Sequence, residues 1–219
     1  EVVDTACSSS LVALHRAVMS IRHEGCEMAI VGGSNLMLSP KQHILFSKTG
    51  MLAADGRSKT FSKDADGYGR ADGVGAVLLK PLSRAEQDGD QILGLITGTS
   101  EQHGGQGSSL TAPNSSAQAR MIVEAHRRAG TDPRTIGYVE CHGTGTPLGD
   151  PAEVEGLKLA FAQRFADIGL DPPKEGHIGL GSIKSNIGHT ETAAGIAGVI
   201  KLLLSLRQKK LFKSLHCDE

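Results

Sequence analysis

Short apolar runs alternate with stretches whose apolar residues recur every three to four positions, the mixture expected of strands and helices packed in layers. Residues 1–5 read as a strand running into a helix over 8–24, where Leu11, Leu14, His15, Val18 and Ile21 share one face and Gly25 supplies the stop. MAIVGG at 28–33 is a short buried strand. Residues 34–71 are polar and turn-rich, with Asp55-Gly56 and Asp66-Gly67 as turn signals; so long an irregular stretch suits a pocket wall or a subunit contact. A strand is expected over 73–80, a short helix over 83–90 and another strand over 92–99. A Gly- and Ser-rich loop at 101–111 leads into an amphipathic helix at 115–129, capped by Asn114 or Ser115. The pattern then repeats as strand 136–140, loop 142–151 and helix 152–165, with Pro151 just before it. It repeats again as strand 178–182, loop 183–188 and a last helix that starts at His189 or Thr190 and runs to about Leu206. Ala193, Ala194, Gly195, Ala197 and Gly198 let other elements approach that helix closely, so it is expected at the centre of the packing.

The 219 residues are long enough for a real core. With 39% hydrophobic and 21% charged residues, and 23 Lys+Arg against 24 Asp+Glu, the chain fits neither a disordered polyelectrolyte nor a basic nucleic-acid binder. The longest apolar stretch, 193–206, is broken by Lys201 and too short for a bilayer, so a soluble cytoplasmic protein without membrane contact is expected. Glu1 does not open a signal peptide, and a chain that begins on a strand entering a sharp turn reads as a piece of a longer protein. Cys7, Cys26, Cys141 and Cys217 lack CxxC spacing, which points to reduced thiols and to no metal centre. The 28 glycines beside no Trp, two Tyr and five Phe imply closely packed backbones.

Three segments carry candidate chemistry. Cys7, in DTACSSSLVALH, sits where a strand meets a helix; peptide N–H groups and the positive helix end there favour a thiolate nucleophile. A small residue buried on a tight turn explains the same position. His142, in ECHGTGTPLGDP, follows a strand, and Gly143, Thr144 and Thr146 let a backbone and two hydroxyls approach a ligand. Imidazole suits carbonyl polarisation or proton transfer near neutral pH, although a solvated loop histidine explains His142 taken alone. Lys184 and His189 lie in GSIKSNIGHTETAAG, and a histidine at a helix N-terminus is biased to its neutral, hydrogen-bond-donating form. Taken alone, His189 merely starts a helix and Lys184 is solvated. All three segments occupy equivalent strand-to-loop-to-helix positions, so their loops are expected to converge at one edge of the sheets.

DTACSSS, HGTGT with the following LGDP, and KSNIGH together resemble the three active-site signatures of β-ketoacyl synthases, in the form found in type I polyketide synthases. FSKTGMLAADGRSKTFSKDADGYGRADG and SLTAPN extend the resemblance between them, over essentially the whole chain. Stand-alone fatty-acid synthases of the family differ at these places, with HGTST and KSMTGH-like motifs. The ending KSLHCDE is similar to synthases of lines served by separate acyltransferases. The resemblance implies an α/β, thiolase-like fold of layers αβαβα. It also implies a partial ketosynthase domain over 1–219, with 1–91 the rest of the nucleophile-bearing N-terminal half and 92–219 most of the C-terminal half. The implied activity is that of an acyltransferase of the 3-oxoacyl-acyl-carrier-protein synthase type. Cys7 would accept an acyl chain, and His142 and His189 would hold a malonyl-type thioester and stabilise its enolate. Lys184 would tune the surroundings of His189, Thr144 and Thr146 would bind the pantetheine arm, and the Cys7 N–H would form half of an oxyanion hole. No metal or organic cofactor is implied. The implied partners are an acyl carrier protein, an acyltransferase and other polyketide synthase domains, and a second copy in a homodimer.

The family's early strands and helices would precede Glu1 and its GFGGTN-type loop would follow Glu219, so the isolated chain is expected to fold poorly or be inactive. Arg70-Ala71-Asp72-Gly73 stands where Arg-Gly-Glu-Gly is common, and Phe212-Lys213 where Pro-Pro is common. A dinucleotide-binding enzyme is disfavoured, because Gly143, Gly145 and Gly149 give GxGxxxG interrupted by Pro147. Neither a GxSxG elbow nor a P-loop is present. The remaining rivals are a fatty-acid or polyunsaturated-fatty-acid ketosynthase and a ketosynthase-like module that holds or passes on an acyl chain without extending it; such modules typically lose the histidine that stands here as His142.

Overall fold

A computed structural model describes residues 1–105, 112–176 and 178–217. Seven helices and four strands are present among the described residues: α1 Ser9–His23, β1 Ala29–Asn35, α2 Lys41–Lys48, β2 Gly73–Leu79, α3 Leu82–Gln87, α4 Ser115–Ala129, β3 Tyr138–Glu140, α5 Gly149–Asp167, β4 Gly179–Gly181, α6 Lys184–Ile187 and α7 Ala194–Gln208. β1 and β2 pair antiparallel, with Ala29 opposite Leu79 and Asn35 opposite Gly73. β3 and β4 pair in parallel, with Tyr138 opposite Gly179 and Glu140 opposite Gly181.

α1 lays its apolar stripe on β1, burying Leu14 and Val18 against Val31. Each such side chain contributes about 1.5–3 kcal/mol on leaving water. α7 packs on β2 and on α1. Gly195 lies against Leu11 and Ser10 so tightly that no Cβ would fit there. The Ser10 hydroxyl accepts the Ile196 N–H at 3.0 Å, and Ile196 itself is fully buried. The stripe of small residues thus places α7 in the interior, as the sequence predicts. α4 begins as expected at Asn114, whose side chain accepts the Ala117 N–H at 3.1 Å. It packs on α5 through Ala119, Val123 and Ala160.

Several expectations need correction. Residues 1–5 and 92–99 are not strands among the described residues, because a strand requires a hydrogen-bonded neighbour and neither segment has one. The segment 34–71 is not wholly irregular: it contains α2, which is short, buries no residue fully and so leaves a weak periodic signal. α5 starts at Gly149 rather than at 152. Residues 184–187 form α6 where a loop is expected. His189 does not start a helix. It bridges Arg70 in extended backbone, a 3₁₀ turn at Glu191–Ala193 follows, and α7 begins only at Ala194. Within the loop expected at 101–111, residues 106–111 lie outside the described residues, as do the last two residues of KSLHCDE and the start of SLTAPN.

One clasp positions the site. The 57–70 stretch reaches the loop after β3, where the Gly67 N–H donates to the Gly145 carbonyl at 2.8 Å. The Thr60 hydroxyl donates to the Gly143 carbonyl at 2.7 Å, and the Phe61 N–H donates to Asp150 Oδ2 at 2.8 Å.

Candidate active site

Cys7 occupies a 3₁₀ turn, Ala6–Ser8, directly before α1. Ala6 takes a left-handed backbone, φ +56°, which a non-glycine residue adopts at a cost and which sharpens the turn carrying the thiol. Burial pushes the Cys7 thiol above its ordinary value; the charge of Lys184 pulls it down and that of Glu191 pushes it up. Burial thus works against the thiolate that the lysine favours.

His142 follows β3 and the buried Cys141, whose N–H donates to the Gly181 carbonyl at 2.7 Å. The His142 and Gly143 N–H groups both donate to the Glu153 carboxylate, at 2.6 and 2.8 Å. The His142 carbonyl accepts from Lys184 Nζ at 2.6 Å and from Ser182 Oγ at 3.2 Å. Gly143 has φ +45°, and a Cβ there would stand 2.5 Å from Thr60 Cγ2, so only glycine fits. Asp150, on the first turn of α5, accepts the Gly145 N–H at 3.0 Å. The loop is thereby held by two carboxylates one helical turn apart. His142 keeps an exposed surface, yet protein crowds the ring closely enough that burial, aided by Lys184, pulls its pKa down to about 3.

His189 is 1% exposed. Its N–H donates to the Gly69 carbonyl at 2.7 Å, and its own carbonyl accepts the Ala71 N–H at 2.9 Å. Nδ1 accepts the Glu191 N–H at 2.9 Å, which leaves the proton of the neutral ring on Nε2. Burial first, then the charges of Lys184, His142 and Arg70, pull its pKa down to about 2. The neutrality expected from a helix terminus therefore arises from desolvation. Lys184 is 3% exposed and not solvated; burial lowers its pKa, against the carboxylates of Glu153 and Glu140 and the Cys7 thiol. Thr144 is buried, with its hydroxyl 3.1 Å from that of Thr146, and Thr146 Oγ1 accepts the Gly149 N–H at 3.1 Å.

The three segments do converge. One ligand atom each from Cys7, His142 and His189 lies within 4.8 Å of the others, and the two imidazoles stand edge to face with centroids 5.5 Å apart. A soft cation could be shared at that spacing, and the same atoms suit a carbonyl carbon beside the sulfur with its oxygen beside the imidazoles. Tyr68, whose ring lies 4.9 Å from that of His189, Thr60, Asp150 and Glu153 escape the motif reading. The signal for the last two is a pair of carboxylates at i and i+3 beside a glycine-rich loop whose N–H groups need acceptors.

The sequence profile of the β-ketoacyl synthase N-terminal domain matches residues 1–85, and that of the C-terminal domain matches 93–218. The chain belongs to the β-ketoacyl synthase family. Polyketide synthase PksN of Bacillus subtilis (strain 168) is 53% identical over the whole chain, which spans 4% of that relative. Erythronolide synthase EryA3 of Saccharopolyspora erythraea is 47% identical over 99% of the chain, which spans 7% of it. The solved oxazolomycin ketosynthase domain OzmH KS7 of Streptomyces albus superposes with a TM-score of 0.93 at 46% identity. The ketosynthase from module 6 of the bacillaene synthase of Bacillus subtilis 168 gives 0.92 at 40%. This ketosynthase chain covers 99% of itself in both superpositions, and 36% and 37% of those chains. Its fold is the thiolase-like α/β fold of the family. No helix among the described residues is long and apolar enough to cross a membrane.

Proposed function

We propose that this ketosynthase segment carries the reacting side chains of a decarboxylative Claisen condensation in polyketide assembly. The supporting observation is the meeting of Cys7, His142 and His189 within 4.8 Å beside the buried Lys184. Cys7 Sγ attacks an acyl thioester delivered by an acyl carrier protein; the C–S bond to the carrier breaks and the carrier thiol leaves with the cysteine proton. A malonyl-type thioester on a carrier then loses CO2, and the electron pair of the broken C–C bond delocalises onto the thioester oxygen. His189 Nε2–H donates to that oxygen, and His142 stands beside it. Neither ring needs to lose a proton first, because both are held neutral. The enolate carbon attacks the Cys7 thioester, the C–S bond breaks, and the cysteine sulfur takes a proton from solvent. A 3-ketoacyl carrier remains.

Lys184 draws the Cys7 thiol toward thiolate and holds the His142 carbonyl, which fixes that loop. Thr144 and Thr146 retain hydrogen-bonding capacity for a pantetheine amide. The reaction uses no metal or organic cofactor. The remaining oxyanion donor, the homodimer partner, the acyltransferase and the carrier belong to the larger synthase. Condensation is favoured over mere acyl holding because His142 is present and its loop is fully wired. The test uses the whole ketosynthase domain bearing this segment, with intact mass spectrometry after an acyl pantetheine-mimic thioester and then malonyl carrier. Acylation lost in Cys7→Ala, and extension lost in His142→Ala with acylation kept, is the expected result. Acylation without extension in the unmodified domain would establish the acyl-holding reading instead.

A further inference from the structure

The Arg70-Ala71-Asp72-Gly73 stretch is left unused by the chemistry above, yet it grips His189. Glu191 has a left-handed backbone, φ +46°, at the turn where its N–H donates to His189 Nδ1 and the chain passes into the 3₁₀ turn before α7. An acidic residue does not hold such a turn without help. Arg70 supplies the help through a two-pronged ion pair, Nε to Oε1 at 2.5 Å and Nη2 to Oε2 at 3.1 Å. The guanidinium is 1% exposed, lies 5.2 Å over the Phe46 ring, and is touched by Gln42 Oε1 at 3.3 Å. Its Nη1 has no hydrogen-bond partner among the described residues, so Glu191 is the principal anchor of that charge. The backbone at residue 70 is committed to the same histidine through the bridge at Gly69 and Ala71.

We propose that Arg70 and Glu191 are positioning residues for His189: their ion pair pins the left-handed turn whose N–H fixes the imidazole with its Nε2–H free to donate. The inference rests on the condensing role given to His189 above. It is tested in the whole ketosynthase domain by measuring Cys7 acylation and decarboxylative condensation separately, in Arg70→Met, in Arg70→Lys, and in Arg70→Met combined with Glu191→Gly. Arg70→Met is expected to acylate within about twofold of the unmodified domain. Its condensation falls between about 10- and 100-fold, the scale of a misplaced catalytic group. Arg70→Lys keeps a single prong and falls between the two. The double variant recovers condensation, because glycine takes a positive φ without an anchor.

Condensation in Arg70→Met at the unmodified rate, with His189→Ala still inactive, would overturn the positioning role and leave the condensing reading intact. Acylation and condensation falling in step, without recovery in the double variant, would overturn it in favour of a merely structural pair. A domain that acylates but never condenses, with or without His189, overturns this inference and the condensing reading together.

Discussion

His189 should make the ketosynthase domain acid-labile by an amount that can be worked out. Its ordinary pKa of 6.5 applies to the unfolded chain, whereas burial holds it near 2 in the fold. A group depressed on folding contributes stability that is fully present above its unfolded value and is lost as pH falls below it. At pH 7.5 the unfolded imidazole is mostly neutral, and the contribution of protonation is below about 0.1 kcal/mol. At pH 5 the unfolded ring is almost fully charged while the buried ring is not, and the fold has lost about 2 kcal/mol. The figure depends on the unfolded value and hardly on whether the folded value is 2 or 3. The assay is urea denaturation at fixed protein concentration at pH 7.5, 6 and 5, comparing the domain with His189→Asn, whose side-chain oxygen can still accept the Glu191 N–H. The gap between the two stability curves should close by about 2 kcal/mol from pH 7.5 to 5. Parallel curves would mean that His189 protonates as readily in the fold as outside it, and would refute the argument from burial.

Other groups give independent tests. Glu153→Gln leaves one acceptor oxygen for two N–H groups, that of Gly143 part-buried, and removes a countercharge from Lys184, so the domain should lose about 1–3 kcal/mol by denaturant midpoint. Lys184→Met should move the alkaline inflection of Cys7 alkylation by iodoacetamide upward, since the lysine is the charge that pulls the thiol down; a downward move would contradict the assignment. Lys201 and Glu140 are both nearly sealed from water and 2.7 Å apart, so Lys201→Met should cost about 3–5 kcal/mol, and the added change Glu140→Gln should restore part of it. Gly143→Ala should cost more than about 1 kcal/mol, with partial recovery in Thr60→Ser, which removes the opposing methyl and keeps the hydroxyl bond to the Gly143 carbonyl.

What could be read from the chain differs with the range of the interaction involved. α4 is legible to the residue, because Asn114 and the amphipathic stripe are both local signals. The central place of α7 is legible from its small residues. Residues 1–5 and 92–99 have strand composition, but pairing is a property of what lies alongside, and alternation in the sequence does not report that. His189 is the instructive case. Its place in the site follows from the motif, while its cause of neutrality and its tautomer follow from Gly69, Ala71 and Glu191, a long-range bridge that helix-start rules cannot foresee. Cys7 shows the same limit in reverse: the turn was readable, but the balance between a helix end and desolvation depends on packing.

The clasp between 57–70 and the loop after β3 bears on how such synthases can be recombined. Thr60, Phe61 and Gly67 hold the His142 loop through one hydroxyl, main-chain groups and one carboxylate, and Arg70 carries the strand-like contact to His189. A crossover in the short interval between the two profile matches, after 85 and before 93, would divide these partners between two parents. Hybrids joined there inherit Cys7 from one lineage and His142 and His189 from another, and their folding depends on whether residues 57–70 agree with a loop some eighty positions downstream. Exchange of 57–70 together with 142–153 is the transplant that keeps the site's own wiring intact.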